Sequence, residues 1–417
     1  MTHREKVLTA LAHRPGPVPV DFGSTAVTGM HVSCVAALRD HYGLEKRLVK
    51  VHEPYQMLGW IEDDLLDVAG IDTAAPMPMG SIFGFAPRDW KEWRTPWGQE
   101  VLVPGKFNTK KEGDDVLIYP EGDMTVPPSG RLPSGGYFFD SIIRQDPIDE
   151  EKLNPADNVE EFTPISDEAL AQLKSEVERV RSSGRAVVAG IGGLGFGDIA
   201  LVPAPFLKRP KGIRDVAEWY ITVATRKDYV AAIFDRQLEV GLANLRKAHR
   251  VLGDSVDVLF VCGTDFGTQV SQFCSAATFR ELWLPRYKAL NDWVHRNTRW
   301  KTFKHSCGAI VPLLPSIIES GFDILNPVQC SATGMEAPEL KRRFGDQLVF
   351  WGGGVDTQRV LPFGTADEVR RQVIERCEAF SEKGGFVFDA IHNVQALTPV
   401  ANIAAMLEAV REFNRGR

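Results

Sequence analysis

The chain has 417 residues, 44% of them hydrophobic and 25% charged, an ordinary globular composition. A formal net charge of -7 gives no electrostatic footprint for a nucleic acid or an anionic membrane as partner. No run of about 18 apolar residues suggests a membrane span, and the N-terminus lacks the apolar region and small-residue cleavage site of a signal peptide.

Six cysteines, at 34, 262, 274, 307, 330 and 377, are scattered without a CxxC pair. In a chain of this length they read as reduced thiols of a cytoplasmic protein, not as a disulfide framework.

The first six residues lead into an amphipathic helix. Short β-branched runs then alternate with helical patterns to the end. Eight stretches read as strands: Val18-Gly23, Gly70-Ala74, Ala186-Ile191, Val256-Gly263, Lys301-Cys307, Ile324-Gln329, Leu348-Gly354 and Gly385-Ile391. Several are continuously apolar, as parallel strands buried on both faces require. Between them the apolar spacing is helical, as in Val230, Ile233, Phe234, Leu238, Leu242 and Leu245. Thr278-x-x-Glu281 and Thr365-x-x-Glu368 match capping boxes, and Thr398-Pro399 reads as an N-cap followed by a first-turn proline.

Eight alternations predict a single (β/α)8 TIM-barrel domain over residues 1–417, with an open doubly wound sheet as the alternative. The stretch from about 80 to 160 breaks the alternation. Its Pro, Gly and aromatic residues, among them Trp90, Trp93, Trp97 and Tyr137, predict a β-hairpin insertion after the second strand. Such an insertion either caps the barrel mouth or elaborates the surface.

The chemistry-bearing residues gather at strand ends, where barrel enzymes place their active sites. His305-Ser306-Cys307-Gly308 closes the fifth strand, and residues i and i+2 of a strand project to one face. An imidazole and a thiolate so placed form half of a zinc site. His392, at the end of the eighth strand, supplies a third ligand. The bland reading is a core thiol beside a hydrogen-bonded core histidine. His31, His41, His52, His249 and His295 do not end strands.

Asp21, Asp265, Asn326, Gln329 and Asp356 line the same mouth in this reading. Asp265 and Asp21 are the candidate catalytic groups, with Asp265 also the best fourth ligand or general base. Asn326, Gln329 and Asp356 are the candidate substrate-binding residues. Each could instead cap a helix or hold a loop amide. The Gly190–Gly197 stretch looks like a phosphate loop but no Walker Lys-Ser/Thr pair follows it, so close backbone approach explains it better. Neither a GxSxG elbow nor an HExxH motif is present.

Ordered along the chain, these residues resemble the uroporphyrinogen decarboxylase superfamily, which includes zinc-dependent, corrinoid-linked methyltransferases. The resemblance starts at Arg4-Glu5-Lys6-Val7-Leu8 and Pro17-Val18-Pro19-Val20-Asp21-Phe22-Gly23. It is densest through His305-Ser306-Cys307-Gly308, Asn326-Pro327-Val328-Gln329, Gly353-Gly354-Val355-Asp356 and Thr398-Pro399-x-x-Asn402-Ile403.

The departures from that pattern choose a branch. Decarboxylases of the family carry an Arg-rich segment after the first strand, which holds the substrate's carboxylates. Here Gly23-Ser24-Thr25-Ala26-Val27-Thr28-Gly29-Met30 has no Arg. The methyltransferase branch binds zinc through the HxC pair and, typically, a Cys near the last strand, whose place His392 takes.

The resemblance therefore implies a zinc-dependent methyltransferase acting on a small methylated or methoxylated compound, by O-demethylation in the latter case. Lacking a DxHxxG corrinoid motif, the chain would take its corrinoid from a separate protein; oligomerisation is compatible with this reading. A metal-dependent lyase or hydrolase on the same barrel is the runner-up, ahead of a porphyrinogen decarboxylase and a non-catalytic binding protein.

Overall fold

The computed structural model describes residues 1–416. Seven parallel strands lie side by side in the order Phe386–Val387, Val349–Trp351, Ile324–Asn326, Lys301–His305, Val258–Cys262, Ala186–Gly190 and Thr73–Ala74. Residues 18–21 fill the remaining gap. Val20 bridges in parallel to Phe388. Asp21 N donates to Phe388 O and Phe388 N to Pro19 O, while Asp72 N on the other side donates to Val20 O. The sheet thus curls into a (β/α)8 barrel.

The first expected strand, Val18-Gly23, is reduced to this bridge. Pro17 and Pro19 have no amide to donate, so a full ladder cannot form there. The other strands also end sooner than the apolar runs suggested. Ile324–Asn326 stops at a cis Asn326-Pro327 bond, and Lys301–His305 stops two residues before Cys307.

Helix His3–Leu11 covers the N-terminal end of the barrel. Thr2 and Glu5 form its capping box. Its buried Val7, Ala10 and Leu11 form one apolar cluster with Val188, Val258 and Phe303 from three strands. Its polar side is tied down as well. Arg4 pairs with Asp257, and His3 and Lys6 with Asp72.

Those aspartates carry a second load. Asp72, Asp257 and Asp323 each precede a strand and accept the amide of a neighbouring one: Val20 N, Val187 N and Thr302 N at 2.9, 2.9 and 2.8 Å. Each link pins the start of one strand against the next.

The region after the second strand is more than one hairpin. Lys91–Arg94 pairs with Glu100–Val103, and Thr109–Glu112, Asp115–Ile118, Gly130–Leu132 and Asp140–Ser141 form a four-stranded antiparallel sheet. None of these short strands alternates regularly between apolar and charged residues, so they were not separable from sequence. This region docks on the excursion after residues 18–21. Leu102 N donates to Val49 O, Phe139 N to Tyr55 O, and His31 Nε2 lies 3.0 Å from Tyr137 O.

Two helix starts also differ from expectation. Ser275, not Thr278, caps Ala276–Leu282 and accepts from Thr278 N. Thr398 turns its hydroxyl back to Gln395 O, and helix Val400–Arg415 starts after Pro399. The Thr365–Glu368 capping box is present as expected. Among the described residues no helix is long and apolar enough to cross a membrane.

If the strand-start aspartates hold the barrel's lower end, Asp257→Ala removes a buried acceptor of both Val187 N and Arg4. We expect a stability loss of about 2–3 kcal/mol, read as a lower urea midpoint. Glu178→Ala breaks only the exposed pair with Lys174 and should change stability by less than about 0.5 kcal/mol.

Candidate functional site

At the C-terminal end of the barrel, His305, Cys307 and His392 present ligand atoms that all lie within 4.8 Å of one another. The His305 and His392 rings meet edge to face with centroids 5.2 Å apart. Cys307 Sγ is 3.5 Å from His305 Nε2. Zinc bonds of about 2.0–2.1 Å to nitrogen and 2.3 Å to sulfur place tetrahedral N and S ligands roughly 3.5 Å apart, so the observed spacing fits a metal.

The local sequence explains how the three converge. His305 is the last residue of its strand, and Cys307 lies beyond it, so the same-face argument does not place the sulfur. The following turn places it instead. Cys307 N donates to Asp265 Oδ1 at 2.7 Å, and Ser306 Oγ accepts from Phe266 N at 2.9 Å. Gly308 has φ +91, and a Cβ there would lie 2.3 Å from Gly267 C. Only glycine permits this approach of the two loops. His392 also has a left-handed backbone, φ 69, which costs a non-glycine residue roughly 1–2 kcal/mol.

Asn326 sets the chemistry of His305. Its Nδ2 donates to Trp351 O at 2.9 Å, which turns Oδ1 toward His305 Nδ1 at 2.6 Å. Nδ1 therefore carries the proton and donates it. Nε2, on the Cys307 side, keeps its lone pair, as metal ligation requires. Burial lowers the His305 pKa to about 3, with Lys304 nearby acting in the same direction. Burial likewise lowers His392 to about 4. Both rings are neutral near pH 7. His392 Nδ1 accepts from Asn393 N at 2.8 Å, so ligation exchanges that contact or moves the ring proton to Nδ1. Burial, reinforced by Asp265, pushes the Cys307 thiol well up. A divalent cation supplies the positive charge that a buried thiolate lacks.

The other expected site residues separate into distinct places. Asp265 joins the cluster, with Oδ1 3.5 Å from His305 Nε2 as well as on Cys307 N. Asn326 touches His305, a partner that its strand-end position did not reveal. Gln329 accepts from Gly308 N and donates to Gln269, bracing the Cys307 turn. Asp356 holds its own turn through the amides of Gln358 and Arg359. Asp21 is buried, bonded to Thr73, Ser24 and Trp351, with no bond to the triad.

Two residues escaped the sequence reading. Lys304 is fully buried and donates to Thr264 O and His305 O, joining two neighbouring strand ends beside the triad. Its strand, Lys301–His305, carries a second lysine and a threonine, so its sequence did not mark Lys304 as buried. Asp198 ends the glycine stretch and lies near Asp265; attention to the glycines obscured it.

A closed parallel barrel with a candidate metal-binding triad at its C-terminal mouth has the layout of a barrel enzyme. Residues 212–413 match the family described as Uroporphyrinogen decarboxylase (URO-D). Uroporphyrinogen decarboxylases from three strains of Coxiella burnetii are each 25% identical over 105 residues, 24% of this chain and 26% of theirs. The aligned part is thus about a quarter of these curated relatives. A solved structure described as a methyltransferase from Methanosarcina mazei covers 99% of both chains at 15% identity with a TM-score of 0.56. The likeness to the uroporphyrinogen decarboxylase family thus rests on residues 212–413, just under half of the chain, and the likeness to the methyltransferase structure is one of fold.

Removing the Asn326 amide should free the His305 tautomer. Asn326→Ala is expected to weaken zinc affinity about 10–100-fold in a chelator-competition titration, with the fold checked by circular dichroism. An unchanged affinity would remove Asn326 from the site.

Proposed function

We propose that the protein is a zinc-dependent methyltransferase that moves a methyl group between a small methylated or methoxylated compound and a corrinoid carried by a separate protein. The observation that carries this reading is the His305–Cys307–His392 triad at the barrel mouth, with the His305 tautomer already set for a metal. The M. mazei methyltransferase, alike over the whole chain length, supports the same direction.

Held by two neutral imidazoles and one thiolate, zinc would supply Lewis acidity toward the heteroatom that loses its methyl group. The chain's own residues do the positioning. Asn326 holds the His305 ring, and Gln329 and Asp265 hold the Cys307 turn. Asp265 also lines the adjoining pocket, where it can orient a substrate by accepting a hydrogen bond. His392 in place of a second thiolate leaves less negative charge on the ligands, which favours cleavage of an ether over activation of a thiol.

The family name raises decarboxylation as a second reading. The segment from Gly23 to Met30 argues against it. Beyond lacking arginine, it is a tight turn: Gly23 N donates to Thr28 O, Ser24 Oγ to Asp21, and Gly29 N to Asn393 Oδ1 at 2.5 Å. Such a turn offers no cation to several carboxylates.

The decisive assay supplies a reduced corrinoid protein and follows methylcorrinoid formation by absorbance across candidate methyl donors. Purified protein should bind one zinc per chain. Cys307→Ala should lose both the metal and turnover, by at least about 10³-fold. Turnover that survives this change, or that needs no corrinoid, turns the reading to a metal-dependent lyase or hydrolase.

Incubation with uroporphyrinogen should yield no coproporphyrinogen above the rate without protein. Product detected by chromatography would favour the decarboxylase.

A further inference from the structure

Beside the triad, and sharing Asp265 with it, lies a pocket of about 220 Å³. This is below the roughly 300–1,000 Å³ typical of drug-sized ligands, so its occupant is small. Its walls include Trp219, Tyr220, Phe266, Phe273 and Trp283. Tyr220 and Phe273 stack with centroids 4.8 Å apart at 28°, forming one face.

The polar groups around this pocket are one-sided. Asp265 lines it, and Asp198 lies close enough to both Asp265 and Tyr220 for their charges to be felt. No Lys or Arg is among its lining residues. The nearest lysine, Lys304, donates to two carbonyls and faces the Phe266 ring at 4.9 Å. Burial, with Asp265 as a further contributor, raises the Asp198 pKa to about 6, although the Ala200 amide and the charge of Lys304 act the other way. The Tyr220 hydroxyl is buried and has no hydrogen-bond partner.

A ligand that satisfies this set has a small apolar body and a positive charge. Aromatic faces attract an organic cation through their quadrupoles, and carboxylates attract it directly. An anionic ligand would meet the Asp265 carboxylate, with Asp198 nearby, and no Lys or Arg on the pocket wall. The geometry points to an ammonium group as the recognition end of the methyl donor, held between Asp265 and the Tyr220–Phe273 face, with the buried Asp198, between the lining residues Gly197 and Ile199, adding its charge. This inference rests on the methyl-transfer reading and narrows its substrate class. The methylated oxygen or sulfur, at the opposite end of the same small molecule, is then directed past Asp265 toward the triad.

The test is equilibrium binding by tryptophan fluorescence, which needs neither corrinoid nor turnover, since Trp219 and Trp283 line the pocket. Zinc-loaded protein is titrated with phenyltrimethylammonium, with tert-butylbenzene as its neutral isostere, and with benzoate. The cation should bind at least tenfold tighter than either. Asp198→Asn, a change of almost no volume, should cost the cation at least tenfold and leave the neutral compound within twofold. Phe273→Ala, at a residue 40% exposed and so safe for folding, should weaken the cation at least threefold. Equal or tighter binding of the neutral compound would make this a plain arene site, and tighter binding of benzoate would reverse its sign; either overturns the inference. Cation preference without methyl transfer to any corrinoid sinks only the broader reading. Methyl transfer from neutral ethers without cation preference sinks only this one.

Discussion

Everything at the mouth depends on how the barrel closes. The last strand, Phe386–Val387, and the proline-bounded segment at 18–21 are joined by a handful of backbone bonds around Val20 and Phe388. That seam brings the loop after the last strand, with His392, across the axis from His305. In an open sheet the two histidines would lie on strands separated by two others. The candidate metal-binding triad is therefore a tertiary product of closure. The buried contacts of residues 3–11 with the strand starts support closure from the opposite end.

The triad itself illustrates order imposed from outside the ligands. His305, Cys307 and His392 are each set from outside the triad: Asn326 acts on the first, Asp265 on the second, and a left-handed backbone on the third. Such outer partners fix ring tautomer and sulfur position before any ion arrives. The same carboxylate that holds Cys307 also borders the aromatic pocket. Ligand geometry and substrate placement are thus coupled through one side chain.

Much of this was legible in the sequence. Apolar runs ending in polar residues gave the eight strand positions, and the HxC pair with a distant strand-end His gave the triad. What escaped has physical causes. Strand ends were overcalled because an apolar run continues into the turn that leaves the barrel, as at Val328 and Ile391, both buried outside any strand. Asn326 looked like a substrate ligand because residue type and position cannot tell a group facing solvent from one facing a neighbouring imidazole. The antiparallel sheet at 109–141 was hidden because its first strand, Thr109–Glu112, is mostly exposed and has no apolar alternation. Asp198 and Tyr220 lie on different segments, and only the folded chain brings the charge of the first near the second.

The seam also has a consequence for biosynthesis. Residues 18–21 and the helix before them are made long before their partner strand at Phe386–Val387. At about 5–20 residues per second, the ribosome leaves that edge unpaired for roughly 20–70 s. Over that interval Val7, Ala10 and Leu11, all buried in the finished barrel, have no complete surface to rest on. The nascent chain thus presents an apolar helix and an open parallel edge together, the combination that chaperones hold and that otherwise aggregates.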